Sequence, residues 1–268
     1  MASASNRRRV GAAAAFLESV LAKGIVGFQL AQLIKETGLS ELAARNQLLR
    51  LRPAVTRIAR MHAFYLIVAP DQRVIGTPPP DWWLEDYFSF LRHPYYIGLL
   101  SAATIHGSQP QAVQLEQVVT DVPRRDITLG RVRIRFYAKR RAANTPTEQP
   151  QSAHSIVRVS TREATALDLV RYSARIGGIA RAAETIAPML PKMDKGRLKE
   201  ALEAANEPAL GQRLGYVLEF LGGKKLAQTI EKWLPSRPPW ALLEPGNPNR
   251  TNATIPRWHL HANARILF

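Results

Sequence analysis

Arg45 and Asn46 stand side by side in SELAARNQLLRLR, residues 40–52, and Arg50 and Arg52 close the same stretch. An arginine fork matches guanine O6 and N7, and an asparagine amide pairs with adenine N6 and N7. Arg50 and Arg52, further along, are placed to meet phosphate. Residues of these types at this spacing can read base edges from one face of a helix.

They act only if the surrounding elements present that face. FQLAQLIKET predicts an amphipathic helix over Phe28–Thr37, with Leu30, Leu33 and Ile34 inward and Gln29, Gln32 and Lys35 outward. Gly38 accepts the left-handed conformation that ends a helix, and Ser40 can cap the next one through its side-chain oxygen. That second helix runs to about Leu51, with Ala44, Leu48 and Leu51 as its buried stripe. A helix over about Arg9–Leu21, stopped at Gly24, precedes both. Two short strands, Val55–Arg60 and Ala63–Val68, follow. Their tip at Met61-His62 has neither Gly nor Asn, so it is expected to be wider than a two-residue turn. This order is that of a winged helix-turn-helix, and the expected DNA-binding residues are Ser40, Arg45, Asn46, Arg50, Arg52, Arg57, Arg60 and His62. The alternative is that the basic residues only solvate a small helical domain.

Composition agrees with a polyanion as partner. The 268 residues carry a formal net charge of +16, and residues 1–70 hold ten Lys/Arg against three acids. The chain is 46% hydrophobic, enough for a sizeable core. It has no cysteine, which excludes disulfides and thiolate metal sites. Arg7-Arg8-Arg9 followed by VGAAAAFL superficially matches the start of a signal peptide, but Glu18 and Lys23 interrupt the run. The expectation is a cytoplasmic protein with no membrane partner.

Residues 69–81, APDQRVIGTPPPD, read as a stiff, extended connection. The expected division is therefore 1–70 for the winged helix, 71–80 for the linker and 81–268 for a larger domain. Asp81 is placed to cap a helix rich in Trp82, Trp83, Tyr87, Phe88 and Phe90, whose aromatics suit core packing better than a binding platform. Pro94–Gln111 reads as a further helix, ended by Gly107. The period then changes to two: Val113–Thr120 is a strand, and Ile127–Leu129 and Arg131–Lys139 form a hairpin around Gly130. Arg131, Arg133, Arg135 and Tyr137 share one face of the last strand, a basic face that can track phosphates or simply be solvated. A polar loop (140–155), a short strand (Val157–Val159) and five helices follow: about Arg162–Arg175, Ile179–Leu190, Lys195–Asn206, Ala209–Leu221 and Lys224–Trp233. Strands at Ala241–Leu243 and Arg257–His261 close the chain. The expected fold class is α+β: an N-terminal winged helix-turn-helix plus a larger mixed α/β domain with a small β-sheet and a helical bundle.

No catalytic constellation stands out: there is no phosphate-cradling glycine loop, no metalloprotease helix and no nucleophile elbow. His259 and His261 can share a strand face but have no nearby carboxylate, so a surface pair is favoured over a metal edge. His93, His106 and His154 are isolated, and His106 beside Gly107 suits a helix-end hydrogen bond. Two polar sets lie inside apolar helices. Glu163, Thr165, Asp168 and Arg171 run along EATALDLVRY, with Asp168 and Arg171 spaced to pair; Arg213, Tyr216 and Glu219 recur every third residue in GQRLGYVLEFLG. Each set reads as a buried network holding helices or as a recognition surface. No enzyme, cofactor or metal is expected.

The segments PYYIGLLSAATIHGSQPQ, QVVT at 117–120, STREATALDLVRY with Gly177-Gly178, GQRLGYVLE and RWHLHAN together resemble the AbiEi-type antitoxins of the abortive-infection AbiE toxin–antitoxin systems. The resemblance spans nearly the whole chain. It implies an N-terminal domain that binds inverted repeats of double-stranded DNA upstream of its own operon and represses it. One recognition helix supplies few base contacts, so either a second copy, as a dimer on DNA, or a second basic surface is expected. The resemblance also implies a C-terminal domain that counteracts a neighbouring nucleotidyltransferase-like toxin, without assuming direct contact. Asp168, Arg171, Arg213, Tyr216 and Glu219 are the candidates for antitoxicity, and Arg131, Arg133 and Arg135 for a second DNA surface. The competing expectations are a ligand-responsive transcriptional regulator without a toxin partner and, third, a nucleic-acid-processing enzyme using Asp168 and Glu219.

Overall fold

Ala13, Phe16, Leu17 and Val20 form the buried side of the first helix, α1 (Ala12–Leu21), in the computed structural model, which describes residues 11–59, 61–108, 115–150, 157–249 and 253–266. The next element corrects the sequence reading: Gly27–Gln29 is a strand, β1, and helix α2 spans Leu30–Thr37. Gly38 then takes φ 66°, and Ser40 accepts the Ala43 amide at the start of α3 (Glu41–Arg50). Strands β2 (Val55–Arg57) and β3 (Phe64–Ile67) are shorter than expected, with a wide connection in which the His62 amide donates to Ala59. Arg60 lies outside the described residues. The three strands form an antiparallel sheet in the order β1-β3-β2. Phe28 became a strand residue because its position faces Tyr65 of β3 and its ring stacks there at 5.6 Å; this long-range partner overrides local helical periodicity.

Residues 70–82 form no extended spacer. Pro70–Gln72 and Pro80–Trp82 are single 3₁₀ turns, and Gln72 and Thr77 are buried. The Arg131 amide donates to Ile75 O at 2.8 Å, an approach that Gly130, at φ 55° and lacking a side chain, leaves open. Helix α4 (Leu84–Leu91) starts with Trp83, not Asp81, at its N-cap. Trp83, Tyr87 and Phe88 are core residues. They share one apolar cluster with Val26, Ile58, Phe64 and Leu66 of the N-terminal part and with Tyr95, Ile134 and Phe136 further on.

The expected helix over Pro94–Gln111 is divided. Tyr95–Ile97 is strand β4 and Leu99–Ile105 is α5. The three β4 residues are all buried between β5 (Leu115–Thr120) and β9 (Val159–Ser160), so sheet pairing takes them from the helix. With β6 (Ile127–Leu129), β7 (Val132–Ala138) and β8 (Thr147–Glu148) they build a six-stranded mixed sheet, order β6-β7-β5-β4-β9-β8. The β6–β7 hairpin is antiparallel, whereas β5 and β7 run parallel.

A helical region follows and shares one apolar core with this sheet: α6 (Arg162–Arg171), α7 (Ser173–Ile176) and α8 (Ile179–Ile186), then a 3₁₀ segment at Ala187–Lys192, α9 (Lys195–Ala205), α10 (Pro208–Phe220) and α11 (Lys224–Trp233). The expected first two helices of this group each end early, the first at Arg171 and the second at Ile186. The tail gives β10 (Ala241–Leu242), β11 (Thr254–Ile255) and β12 (Leu260–His261), while Pro256–Trp258, expected as strand in part, is a 3₁₀ turn. That turn inserts the fully buried Trp258 into the helical core. No helix among the described residues is long and apolar enough to cross a membrane. The architecture is α+β.

Candidate nucleic-acid interface and polar networks

Helix α3 buries Ala44 and Leu48 and turns Leu42, Asn46, Leu49 and Arg50 to solvent, with Leu42 71% and Leu49 58% exposed. Leu42 shares this face, which the sequence reading did not anticipate. Ser40 serves the fold as the N-cap. Arg45 is not open to a base edge: its Nη2 and Nε hold Glu41 Oε1 at 2.6 and 2.9 Å, and this hydrogen bond raises the guanidinium pKa further. Asn46 is exposed beside it. A cavity of about 230 Å³ between α3 and the β2–β3 sheet is lined by Arg45, Asn46, Leu49, Arg52, Arg57 and Tyr65. The fold thus gathers four of the expected DNA-binding residues, Arg45, Asn46, Arg52 and Arg57, around one depression. Arg57 is braced there, donating from Nε to His62 O at 2.9 Å with its guanidinium 5.9 Å from the Tyr65 ring centroid.

His62 does not join them. Its Nδ1 is 2.7 Å from Tyr87 Oη and its ring packs against Phe90, so it engages the aromatic cluster. Burial lowers its pKa, and the nearby Arg124 and Arg57 charges act in the same direction.

Arg131, Arg133 and Arg135 are exposed along the β6–β7 edge, with Ile134 and Phe136 turned inward. Tyr137, expected on the basic face, is fully buried: it accepts from Gln117 Nε2 at 3.2 Å and packs edge-on against Tyr172. The three arginines line a cleft of about 1000 Å³ with Ile75, Pro80 and Glu116. The strand is less short of acids than its own sequence suggests. Asp126, at the start of the hairpin, lies 3.3 Å from Arg135 Nε, and β5 brings Glu116 opposite Ile134. Desolvation pushes the Glu116 carboxyl up to about 7, Asp81 contributing in the same sense. The depression at α3 and this cleft are separate cavities.

The five polar residues of the helical region fall into separate groups. Asp168 is fully buried, accepting from Tyr96 Oη at 2.6 Å and Lys139 Nζ at 2.9 Å. Arg171, three residues on, is 3.8 Å from Asp168, and its Nη1 donates to both Glu207 oxygens at 2.8 and 2.9 Å. Arg213 donates from Nε to Leu242 O, and Tyr216 is half-buried against the core. Glu219 pairs with Arg257 and accepts from Trp258 Nε1 at 2.6 Å. Tyr96, Lys139, Glu207, Arg257 and Trp258 therefore complete these groups and were missed from sequence, because each lies outside the helix of the residue it meets and only tertiary packing brings it in. Lys139 gave one signal: it is a lone lysine directly after the alternating pattern of β7.

His106 closes α5, with Nε2 2.7 Å from Ser160 O. His93 Nδ1 is 2.8 Å from Asp121. His259 and His261 lie against Trp240, with ring centroids at 5.1 and 5.2 Å. Among the described residues no group of three or more His, Asp or Glu is set to hold a metal ion.

Residues 96–220 match the family described as the AbiEi antitoxin C-terminal domain. That span contains β7, Lys139, Asp168, Arg171, Glu207, Arg213, Tyr216 and Glu219, and the match supports an antitoxin role in a toxin–antitoxin system. The crystal structure of the RV2827C protein from Mycobacterium tuberculosis is similar in fold, with a TM-score of 0.63 at 14% identity over 93% of this chain and 90% of that one. No curated protein matches the chain.

Proposed function

We propose, with an AbiEi-type antitoxin domain at residues 96–220 as the premise, that this chain is a DNA-binding antitoxin that represses its own operon and counteracts a neighbouring nucleotidyltransferase-like toxin. It acts as a regulator and not as an enzyme. Residues 1–70 form the DNA-binding domain and 81–268 the antitoxin domain, with 71–80 between them. The observation that carries the DNA reading is the exposed face of α3 beside a depression lined by Arg45, Asn46, Arg52 and Arg57. A capped helix with a basic, amide-bearing outer face, followed by a short antiparallel ribbon, suits the major groove and its flanking phosphates. A single helix of this length reaches only a few base pairs, so two copies on inverted repeats supply the rest of the specificity.

The test separates the two activities in the full-length chain. Cutting at residue 78 would divide the apolar cluster shared by Phe64, Leu66, Trp83 and Tyr87, so point substitutions are the sharper tool. Asn46→Ala with Arg52→Glu is expected to abolish binding to the DNA upstream of the operon while still rescuing growth when the neighbouring toxin is expressed from an unrelated promoter. Failure of the unaltered chain to rescue would end the antitoxin reading. Unchanged operator binding by the double variant would remove α3 from the DNA interface.

A further inference from the structure

We propose that the cavity between the end of β7 and the α9–α10 junction binds a phosphate chain, gripped by Arg140, Arg141 and Arg171. The cavity is about 280 Å³, and its walls include Lys139, Arg140, Arg141, Arg171, Asn206 and Glu207. Four cations thus face one carboxylate on the wall, with Asp168 behind them in contact with Lys139 and Arg171. Two positive charges are left unmatched. Arg140 and Arg141 are exposed, and among the described residues neither is held in an ion pair.

Arg171 joins the cavity wall to the buried Asp168. Its Nε is buried without a hydrogen-bond partner, and the nearest carboxylate oxygen, on Asp168, is too far at 3.8 Å. Its Nη1 is occupied by Glu207, a half-exposed residue immediately before α10. Glu207 occupies the position an incoming anion would take, and being at a helix start with an exposed side chain it can swing away. Planar guanidinium forks match phosphate oxygens better than any other side chain, and several of them converging select a multiply charged anion. The volume is just below the ~300–1,000 Å³ of pockets for drug-sized ligands, which suits a phosphate chain with any nucleoside lying outside it. A duplex cannot enter, so this site is separate from the α3 face. It is also independent of the antitoxin reading, since it is assayed on the purified chain alone.

The phosphate chain can belong to a free nucleoside triphosphate or to the 5′ end of a nucleic-acid strand. Isothermal titration of the full-length protein would use inorganic triphosphate, ATP, and one single-stranded oligonucleotide with and without a 5′-phosphate. Triphosphate is expected to bind saturably at one site per chain. Arg140→Ala with Arg141→Ala, both at exposed positions, is expected to weaken it at least about tenfold. Glu207→Gln is expected to tighten it by about threefold or more, because Arg171 is released. ATP binding as well as triphosphate assigns the site to free nucleotides; a preference for the 5′-phosphorylated oligonucleotide, lost in the double variant, assigns it to strand ends. No triphosphate binding, or binding indifferent to both Arg140 and Arg141, overturns the proposal.

Discussion

Lys139 Nζ lies 2.9 Å from Asp168 Oδ1, with Asp168 fully buried and Lys139 only 8% exposed. The pair joins the end of β7 to α6, and Tyr96 of β4 donates to the other Asp168 oxygen, so strand and helix layers meet at one carboxylate. Removing one partner strands a buried charge, which costs about 3–5 kcal/mol, whereas removing both with apolar residues of similar volume is often near neutral. Asp168→Ala is therefore expected to lower the melting temperature by roughly 10 °C. Asp168→Leu combined with Lys139→Met is expected to recover most of that loss. Thermal melts of the single and double variants decide: equal losses in both would mean that the pair contributes by shape and not by charge.

Why Asp168 was legible and Lys139 was not follows from what each shows locally. Asp168 is a charged residue inside EATALDLVRY, so helical periodicity alone marks it as buried and in need of a partner. The i, i+3 rule then nominated Arg171, which does pair with Asp168 at 3.8 Å and also holds Glu207 at 2.8 Å. The closer partner, Lys139, comes from another layer, and no spacing rule encodes a contact between layers. The same limit explains Phe28 and Tyr95–Ile97, where apolar runs at helical spacing became strands because a pairing strand elsewhere claims them. By contrast Ser40, Gly38 and the Ala44–Leu48 part of the α3 stripe rest on chemistry within four residues and appear in the structure where the sequence placed them, while Leu51, expected in the same stripe, follows the helix and is only partly buried.

Glu41 restrains Arg45, and that makes a prediction of unusual sign. An exposed ion pair of this kind contributes about 0.3–0.5 kcal/mol to the helix. It also ties up the guanidinium and adds a negative charge to the face proposed to meet DNA. Glu41→Ala is expected to strengthen operator binding several-fold while lowering stability slightly. Gel shifts on the upstream DNA check it; weaker binding would show that Glu41 itself contacts a base, as a carboxylate can with cytosine N4.

The exposed leucines of α3 give a second test of base reading. Leu42 and Leu49 flank Asn46 on the solvent side of the helix, where apolar side chains are otherwise a cost. In a major groove they would contact thymine methyl groups. Replacing thymine by deoxyuracil in the operator removes only those methyls. Binding is expected to fall about 5- to 20-fold on the substituted DNA, and Leu42→Ala with Leu49→Ala is expected to lose that sensitivity. Equal affinity for the two DNAs would exclude thymine contacts by either leucine.

Glu116 makes the molecule's stability depend on pH. Its folded value of about 7 stands above the ordinary 4.5, chiefly through desolvation. Between those two pH values the folded chain holds a proton that the unfolded chain has released. Stability from this group is therefore greatest below about pH 4.5, falls as the pH rises to about 7, and is level above that. Glu116→Gln imitates the protonated form. Its advantage over the parent is expected to be absent at pH 4.5 and to reach at most roughly 3 kcal/mol by pH 8. Denaturant unfolding at the two pH values measures it, and a constant difference between the proteins would show that Glu116 does not titrate with folding.

The basic face of β7 is the last candidate interface, and its own geometry predicts unequal roles for its arginines. Arg135 is already 3.3 Å from Asp126, so a phosphate would have to compete for it. Arg131 and Arg133 have no such ion pair among the described residues. Each phosphate contact contributes about −0.9 to the slope of log affinity against log salt on duplex DNA. If this face is the second DNA surface, reversing Arg131 and Arg133 to Glu is expected to weaken binding and flatten the slope by about two, while Arg135→Glu alone changes it by less than one. Arg135→Glu combined with Asp126→Arg restores the pair with its charges exchanged and is expected to bind as the parent does. A salt series on the upstream DNA distinguishes this from a solvated face, for which the slope would be the same in every variant.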